Sequence, residues 1–205
     1  MSLEKELKFP CADFDLLKKY LLGANAVFED SYFESNQVFD TPARELKHKD
    51  ILLRLREANK NVFCLKRPPQ EKQSAELKVW EELETEIQAP GQLRSILFAL
   101  GFVTAFCYEK LREKWSLGAC KVCLDLVPFG KYVEIEGEME EITYCAGMLR
   151  LDMQKSSTKT YQQLNREYRA KHGLTDNDSF IFPEPLRSKL IEKGTHFCYS
   201  CSEDK

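Results

Sequence analysis

Polar and apolar residues alternate with a period of two through much of this chain. Leu3, Leu7 and Phe9 interleave with Glu4, Glu6 and Lys8, and in a strand every second side chain shares a face. The same alternation predicts strands over 51–57, 62–66, 76–87, 103–117, 119–127 and 131–137. Asn59-Lys60-Asn61 and Pro128-Phe129-Gly130 supply turns between them. Helical spacing interrupts the strands. Asp13 caps a predicted helix to Leu22, with Phe14, Leu17, Tyr20 and Leu21 in step and Gly23 as its stop. Pro90-Gly91 opens a second helix to Leu100, with Leu93, Ile96, Leu97 and Leu100 as its stripe. Further helices are expected from Glu138 to Met153 and from Lys159 to Lys171. Residues 26–40 carry no assigned element and end at Thr41-Pro42, which breaks regular structure. Residues 173–205 are mixed in composition and read as a peripheral tail.

Many antiparallel strands, then helices, give an α+β class with a dominant antiparallel sheet. Seven or eight such strands are enough to close into a barrel. At 205 residues the chain is read as one main domain, 1–170, with residues 171–205 appended.

The charged faces, set side by side, read Glu4, Glu6, Lys8; Arg54, Arg56; Lys66; Glu82, Glu84; Lys110, Arg112, Lys114; Asp125; Glu134, Glu136. Two arrangements fit. In one, these faces are the solvated outside of an open sheet. In the other, the apolar faces turn outward under the helices and the charges line a lumen. A lumen of that kind is costly unless its charges are hydrated, mutually paired or occupied by a charged ligand. The ligand that uses both signs at once is a polyphosphate with a divalent metal, because Arg and Lys meet phosphate oxygens and carboxylates hold hard cations.

Composition narrows the classes further. A net charge of −3 argues against bulk electrostatic binding of nucleic acid. No apolar run is long enough for a transmembrane helix, and no export signal is visible. Free thiols in the cytoplasm are therefore the expectation for the eight cysteines. Cys120-x-x-Cys123 and Cys198-x-x-Cys201 suggest a zinc site by spacing alone. The first pair lies in a predicted strand, where positions i and i+3 face opposite ways.

Several segments carry a resemblance. Glu4-Lys5-Glu6-Leu7-Lys8 resembles the N-terminal Glu-x-Glu-x-Lys signature of the CYTH family, the triphosphate tunnel metalloenzymes. Val38-Phe39-Asp40-Thr41-Pro42, Leu53-Arg54-Leu55-Arg56, Leu65-Lys66, Glu109-Lys110-Leu111-Arg112, Leu124-Asp125, Val133-Glu134-Ile135-Glu136 and Lys159-Thr160-Tyr161 through Leu164 are similar to its later segments, in order. The match spans residues 3–168. Trp80-Glu81-Glu82 departs from the family's Arg-x-Glu.

The resemblance implies a closed eight-stranded antiparallel β-barrel, with helices packed on its outside. It implies Mg²⁺ or Mn²⁺ held by Glu4, Glu6, Glu134 and Glu136, with Glu82 and Asp125 as further ligands or supports. Lys8, Arg54, Arg56, Lys66, Lys110, Arg112 and Lys159 would then bind the triphosphate, and Glu4, Glu6, Lys8, Glu134 and Glu136 would carry the chemistry. The implied activity is hydrolysis of the terminal phosphate of tripolyphosphate, thiamine triphosphate or a nucleoside triphosphate. Class IV adenylyl cyclase chemistry and a non-catalytic polyphosphate-binding module are the alternatives. The expected partner is a triphosphate-containing small molecule, not nucleic acid or a membrane. A homodimer is compatible with the helices, which do not demand one.

Overall fold

The computed structural model describes residues 2–69 and 78–195. The first two positions of the strand expected over 76–87, and Cys198 and Cys201, lie outside the described residues. Eight strands form a closed antiparallel ring. In chain order they are β1 (Ser2–Pro10), β2 (Val27–Asp40), β3 (Leu52–Glu57), β4 (Val62–Arg67), β5 (Lys78–Glu86), β6 (Val103–Leu117), β7 (Cys120–Val127) and β8 (Gly130–Glu136). Around the barrel the order is β1-β5-β4-β3-β2-β6-β7-β8. Closure falls on β1, whose first half pairs with β5 (Glu4 opposite Trp80) and whose second half pairs with β8 (Lys8 opposite Glu134). This stagger is what a tilted, closed sheet requires.

Among the described residues there are six α-helices: α1 (Phe14–Gly23), α2 (Glu45–His48), α3 (Pro90–Ala99), α4 (Met139–Met148), α5 (Tyr161–Lys171) and α6 (Leu186–Thr195). They cover the outward, apolar faces of the strands. Leu7, Phe9, Trp115, Val122, Leu124, Val133 and Ile135 bury against Leu17 and Leu21 of α1 and Ile142, Cys145 and Ala146 of α4. Leu53 and Leu55 bury against Leu97 of α3. The greasy layer is thus outside the barrel, and the alternate side chains have nowhere to point but in. The open-sheet arrangement is excluded. Cys120 joins the outer core while Cys123 lines the lumen, so the two do face opposite ways.

Three expected boundaries move. Within residues 26–40, Val27–Asp40 form a single 14-residue strand, paired along its length with β6 with irregularities at Phe28/Asp30 and Val38/Phe39. At the first, Glu29 is the extra residue on β2 and shifts its side-chain parity; at the second, the extra residue is Ala105 on β6. α4 stops at Met148, because Arg150 adopts a left-handed backbone (φ 55°), and a short 3₁₀ turn follows at Met153–Lys155. α5 begins after Thr160, whose side chain caps Gln163 N while the Gln163 side chain accepts from Thr160 N.

The boundary expected at residue 170 does not coincide with a break in packing. Phe180 exchanges backbone hydrogen bonds with Cys107 and Glu109 of β6, where β7 does not reach. Phe182 and Leu190 bury against Leu111, and Glu109 accepts from Phe182 N (3.0 Å) and Arg187 Nε (2.6 Å). α6 lies so close to β2 that a Cβ on Gly194 would stand 2.6 Å from Phe33 N. The segment is therefore a continuation of the barrel's outer layer up to Thr195.

Candidate functional site

One cavity of about 630 Å³ occupies the lumen. Its wall comes from all eight strands and from the start of α5. Tyr161, Phe180, Tyr108, Val38 and Val127 pack into an aromatic plug at one end.

Carboxylates gather where β1 meets β8 and β5. Oxygens of Glu4, Glu6 and Glu134 lie within 4.8 Å of one another. Alternation on β1 places the first two, and the register of Lys8 with Glu134 brings the third across. Three hard oxygen donors at this spacing suit Mg²⁺ or Mn²⁺. Lysines interleave with them. Lys8 Nζ donates to Glu6 at 2.5 Å and stands 3.1 Å from Glu134. Lys66 bonds Glu4 and lies 3.1 Å from Glu82. Glu136 lines the same cavity outside this three-oxygen group, with Lys121 at 3.6 Å. Burial pushes its carboxyl up; Lys121 opposes that, and Glu4, Glu134 and Glu6 add to it.

Cations cover the adjoining wall. Arg54 and Arg56 come from β3, Lys110 and Arg112 from β6, and all four line the cavity. Arg112 makes a two-pronged bond to Asp125 (2.7 and 2.6 Å) and a third to Glu134 (3.0 Å). It thereby ties the cationic wall to the carboxylate group. Arg54 Nη1 donates to the Tyr108 hydroxyl at 2.7 Å. Arg56 lies 3.4 Å from Glu84.

Two expected site residues are placed elsewhere. Asp125 is wholly buried and does not line the cavity. Arg112, Lys110 (3.2 Å) and the Tyr161 hydroxyl (2.7 Å) occupy its oxygens, so it anchors cations instead of standing ready for a metal. Lys159 pairs with Glu167 at 2.5 Å on the half-exposed side of α5, outside the cavity. Glu82 lines the lumen, grouped with Cys64 and Glu84 and not with Glu4, Glu6 and Glu134. Tyr108, which shares β6 parity with Lys110 and Arg112, and Tyr32, on β2, also line the cavity, and Glu34, which shares β2 parity with Tyr32 and Asn36, is buried behind its wall; none of the three was expected there. Trp80, at the position of the family departure, lines the cavity beside Glu82 and Glu84.

The field of this wall sets an acid limit. Burial alone would raise Glu34, Glu82 and Glu134. Lys110, Arg112, Arg56 and Arg54 nevertheless hold Glu34 at about 2; Lys66, a bond from Cys64 and Arg54 hold Glu82 at about 2; Lys8, Arg112 and Lys110 hold Glu134 well below the usual range. A depressed carboxyl contributes stability that is complete above its unfolded value, about 4.3, and is lost as pH falls through its folded value. Glu84 and Glu136, both raised, act with the opposite sign. The three depressed groups outweigh them. The melting temperature is expected to hold steady above about pH 5 and fall steeply from about 4.3 toward 2. Thermal melts across that range test this; a flat profile down to pH 3 contradicts the ion-pair assignment.

Comparison with known proteins places these features. The CYTH domain family model matches residues 2–165. A protein of Methanocaldococcus jannaschii named a "putative adenylate cyclase" is 25% identical over 141 residues, covering 68% of this chain and 79% of that one. A structure from Vibrio parahaemolyticus with the same description superposes with a TM-score of 0.70 at 21% identity, over 80% of this chain and 98% of that one. A Hippeastrum protein described as a "putative adenylyl cyclase" with a dominant triphosphatase activity superposes at 0.57 and 19% identity, over 87% and 99%. At these identities the two structures speak to the fold. Among the described residues no helix is long and apolar enough to cross a membrane.

Proposed function

The chain belongs to the CYTH family, and from that premise we propose that it is a divalent-metal-dependent triphosphatase. The supporting observation is the joining of a three-carboxylate group, itself bridged by Lys8, to a four-cation wall through Arg112, in one cavity. A purely basic lumen would serve an anion alone, and a purely acidic one a metal alone.

In this reading Arg54, Arg56, Lys66, Lys110 and Arg112 bind the phosphate oxygens. Their fixed positions neutralise charge on the transferring phosphoryl group without reorganisation. Glu4, Glu6 and Glu134 would hold Mg²⁺ or Mn²⁺. When bound, such an ion neutralises phosphate charge and polarises the phosphoryl group. Lys8 holds Glu6 and Glu134 in place and offers its ammonium to the substrate. Glu136 is, of Glu4, Glu6, Glu134 and Glu136, the one held most loosely by a cation, and it takes the proton from the attacking water. Arg112 stays fixed on Asp125 throughout.

A second reading is adenylyl cyclase activity, in which the ribose 3′-hydroxyl of ATP attacks the α-phosphorus and pyrophosphate leaves. Trp80, Phe106 and Leu52 give the cavity apolar surface that a base could use. The test is incubation with Mg²⁺ or Mn²⁺ and tripolyphosphate, thiamine triphosphate or ATP, with products resolved. Orthophosphate release supports the first reading. Cyclic AMP with pyrophosphate replaces it by the second. Binding without turnover under either metal leaves a polyphosphate-binding module.

A further inference from the structure

A carboxylate that the proposed chemistry leaves unused lies beneath the cations. β2 runs between β3 and β6, and its inward residues Glu34 and Asn36 are not on the cavity surface. Asn36 sits opposite Arg56 on one side and Tyr108 on the other; Glu34 sits opposite Lys110. The Arg54–Tyr108 bond spans from β3 to β6, across the strand that carries both. Glu34 is 0% exposed. One of its oxygens accepts from Asn36 Nδ2 (3.3 Å) and stands 3.7 Å from Lys110 Nζ; the other, and Asn36 Oδ1, are buried without a hydrogen-bond partner.

An ionised carboxylate enclosed in this way is tolerated only because cations surround it. Those cations are Lys110, Arg112, Arg56 and Arg54, four of the five assigned to the phosphates. Its charge therefore acts on the substrate through them. Four cations converging on one polyanion in a low-dielectric lumen would also grip the product. A fixed anion behind them subtracts from that grip.

We propose that Glu34 is an internal counter-anion of the polyphosphate site, which weakens phosphate binding through the cations above it and so favours release of the product. The proposal rests on the triphosphatase reading and names its regulation. Glu34 touches no reacting atom; it is a positioning residue.

The sign of the effect separates this role from a structural one. Loss of a merely structural carboxylate would disorder the cations and weaken anion binding. Loss of a counter-anion tightens it. The probe is inorganic pyrophosphate with Mg²⁺, titrated calorimetrically into the full chain at pH 8. Glu34→Gln keeps the side chain's size and a carbonyl for Asn36. It is expected to lower the dissociation constant about tenfold, a modest share of the interaction of charges about 4 Å apart at an effective dielectric of about 20. Asn36→Asp adds a second charge to the same place and is expected to raise the constant by about as much. Both differences persist at high salt, because buried charges are poorly screened.

Unchanged or weaker binding by Glu34→Gln overturns the proposal. Should that variant not fold, Asn36→Asp decides, and binding equal to or tighter than the parent's overturns it. Parent protein that binds neither pyrophosphate nor tripolyphosphate sinks the triphosphatase reading, and this proposal with it. Parent that binds while both variants leave the constant unmoved sinks this proposal only.

Discussion

Glu136→Gln is expected to lower tripolyphosphate turnover by about two to four orders of magnitude, the range of a general base, while moving the melting temperature by no more than about a degree. Both halves follow from where the side chain stands. Glu136 closes β8 opposite Glu6 of β1 and Lys121 of β7. Its side chain is 34% exposed and its ion pair with Lys121 is 3.6 Å long, a geometry that contributes little to stability. Its carboxyl is raised toward neutrality by burial and by its acidic neighbours, whereas Glu134 is held far down by Lys8 and Arg112. Of the two, Glu136 is the better proton acceptor near pH 7. If Glu136 instead completes the metal cage, the variant recovers activity as Mn²⁺ is raised; a proton acceptor gives a loss that added metal does not repair. Turnover within threefold of the parent at ordinary Mn²⁺ removes Glu136 from the reaction.

Parity carried most of what could be read without coordinates. Alternation is local and survives any strand order, so Glu4, Glu6, Arg54, Arg56, Lys110, Arg112, Glu134 and Glu136 all proved to share one cavity. Parity does not say how deep a side chain lies. Asp125 shares the inward face with them, yet Arg112, Lys110 and Tyr161 close over it, and only distances across strands reveal that. Parity also needs a contrast between faces. Tyr32, Glu34 and Asn36 sit in an unbroken register with β6, but their outward neighbours Ser31, Ser35 and Gln37 are polar too, so no alternation marks the strand. Lys159 failed for another reason. The residue lies just before a helix whose cap is Thr160, and the turn into α5 carries its ammonium out to Glu167. The packing of residues 179–195 was illegible because it depends on an edge of β6 that β7 leaves open.

Lys8→Met is expected to lower the melting temperature of the metal-free protein by roughly 10 °C, from about 3–5 kcal/mol for breaking a buried ion group in a domain of this size. Lys8 is 2% exposed, lies between Glu6 and Glu134, and holds its ammonium 5.1 Å above the Tyr161 ring. Burial works against the charge, but the two carboxylates outweigh it and raise its pKa. A raised lysine contributes stability that is complete below its unfolded value, about 10.4, and fades only as pH rises through the folded one. At neutral pH the contribution is therefore present in full. Methionine fills the space and leaves two buried carboxylates facing each other, of which one must take up a proton or repel its neighbour. That repulsion eases in acid, so the deficit between variant and parent should shrink as pH falls below about 5. It should also shrink when Mn²⁺ is added, because a divalent cation between Glu4, Glu6 and Glu134 restores the missing positive charge. Metal is then expected to raise the variant's melting temperature more than the parent's. A lysine that only met phosphate would leave the melting temperature unchanged and alter affinity alone. Equal melting of variant and parent in the metal chelator EDTA would show that the ammonium does not hold the empty lumen together.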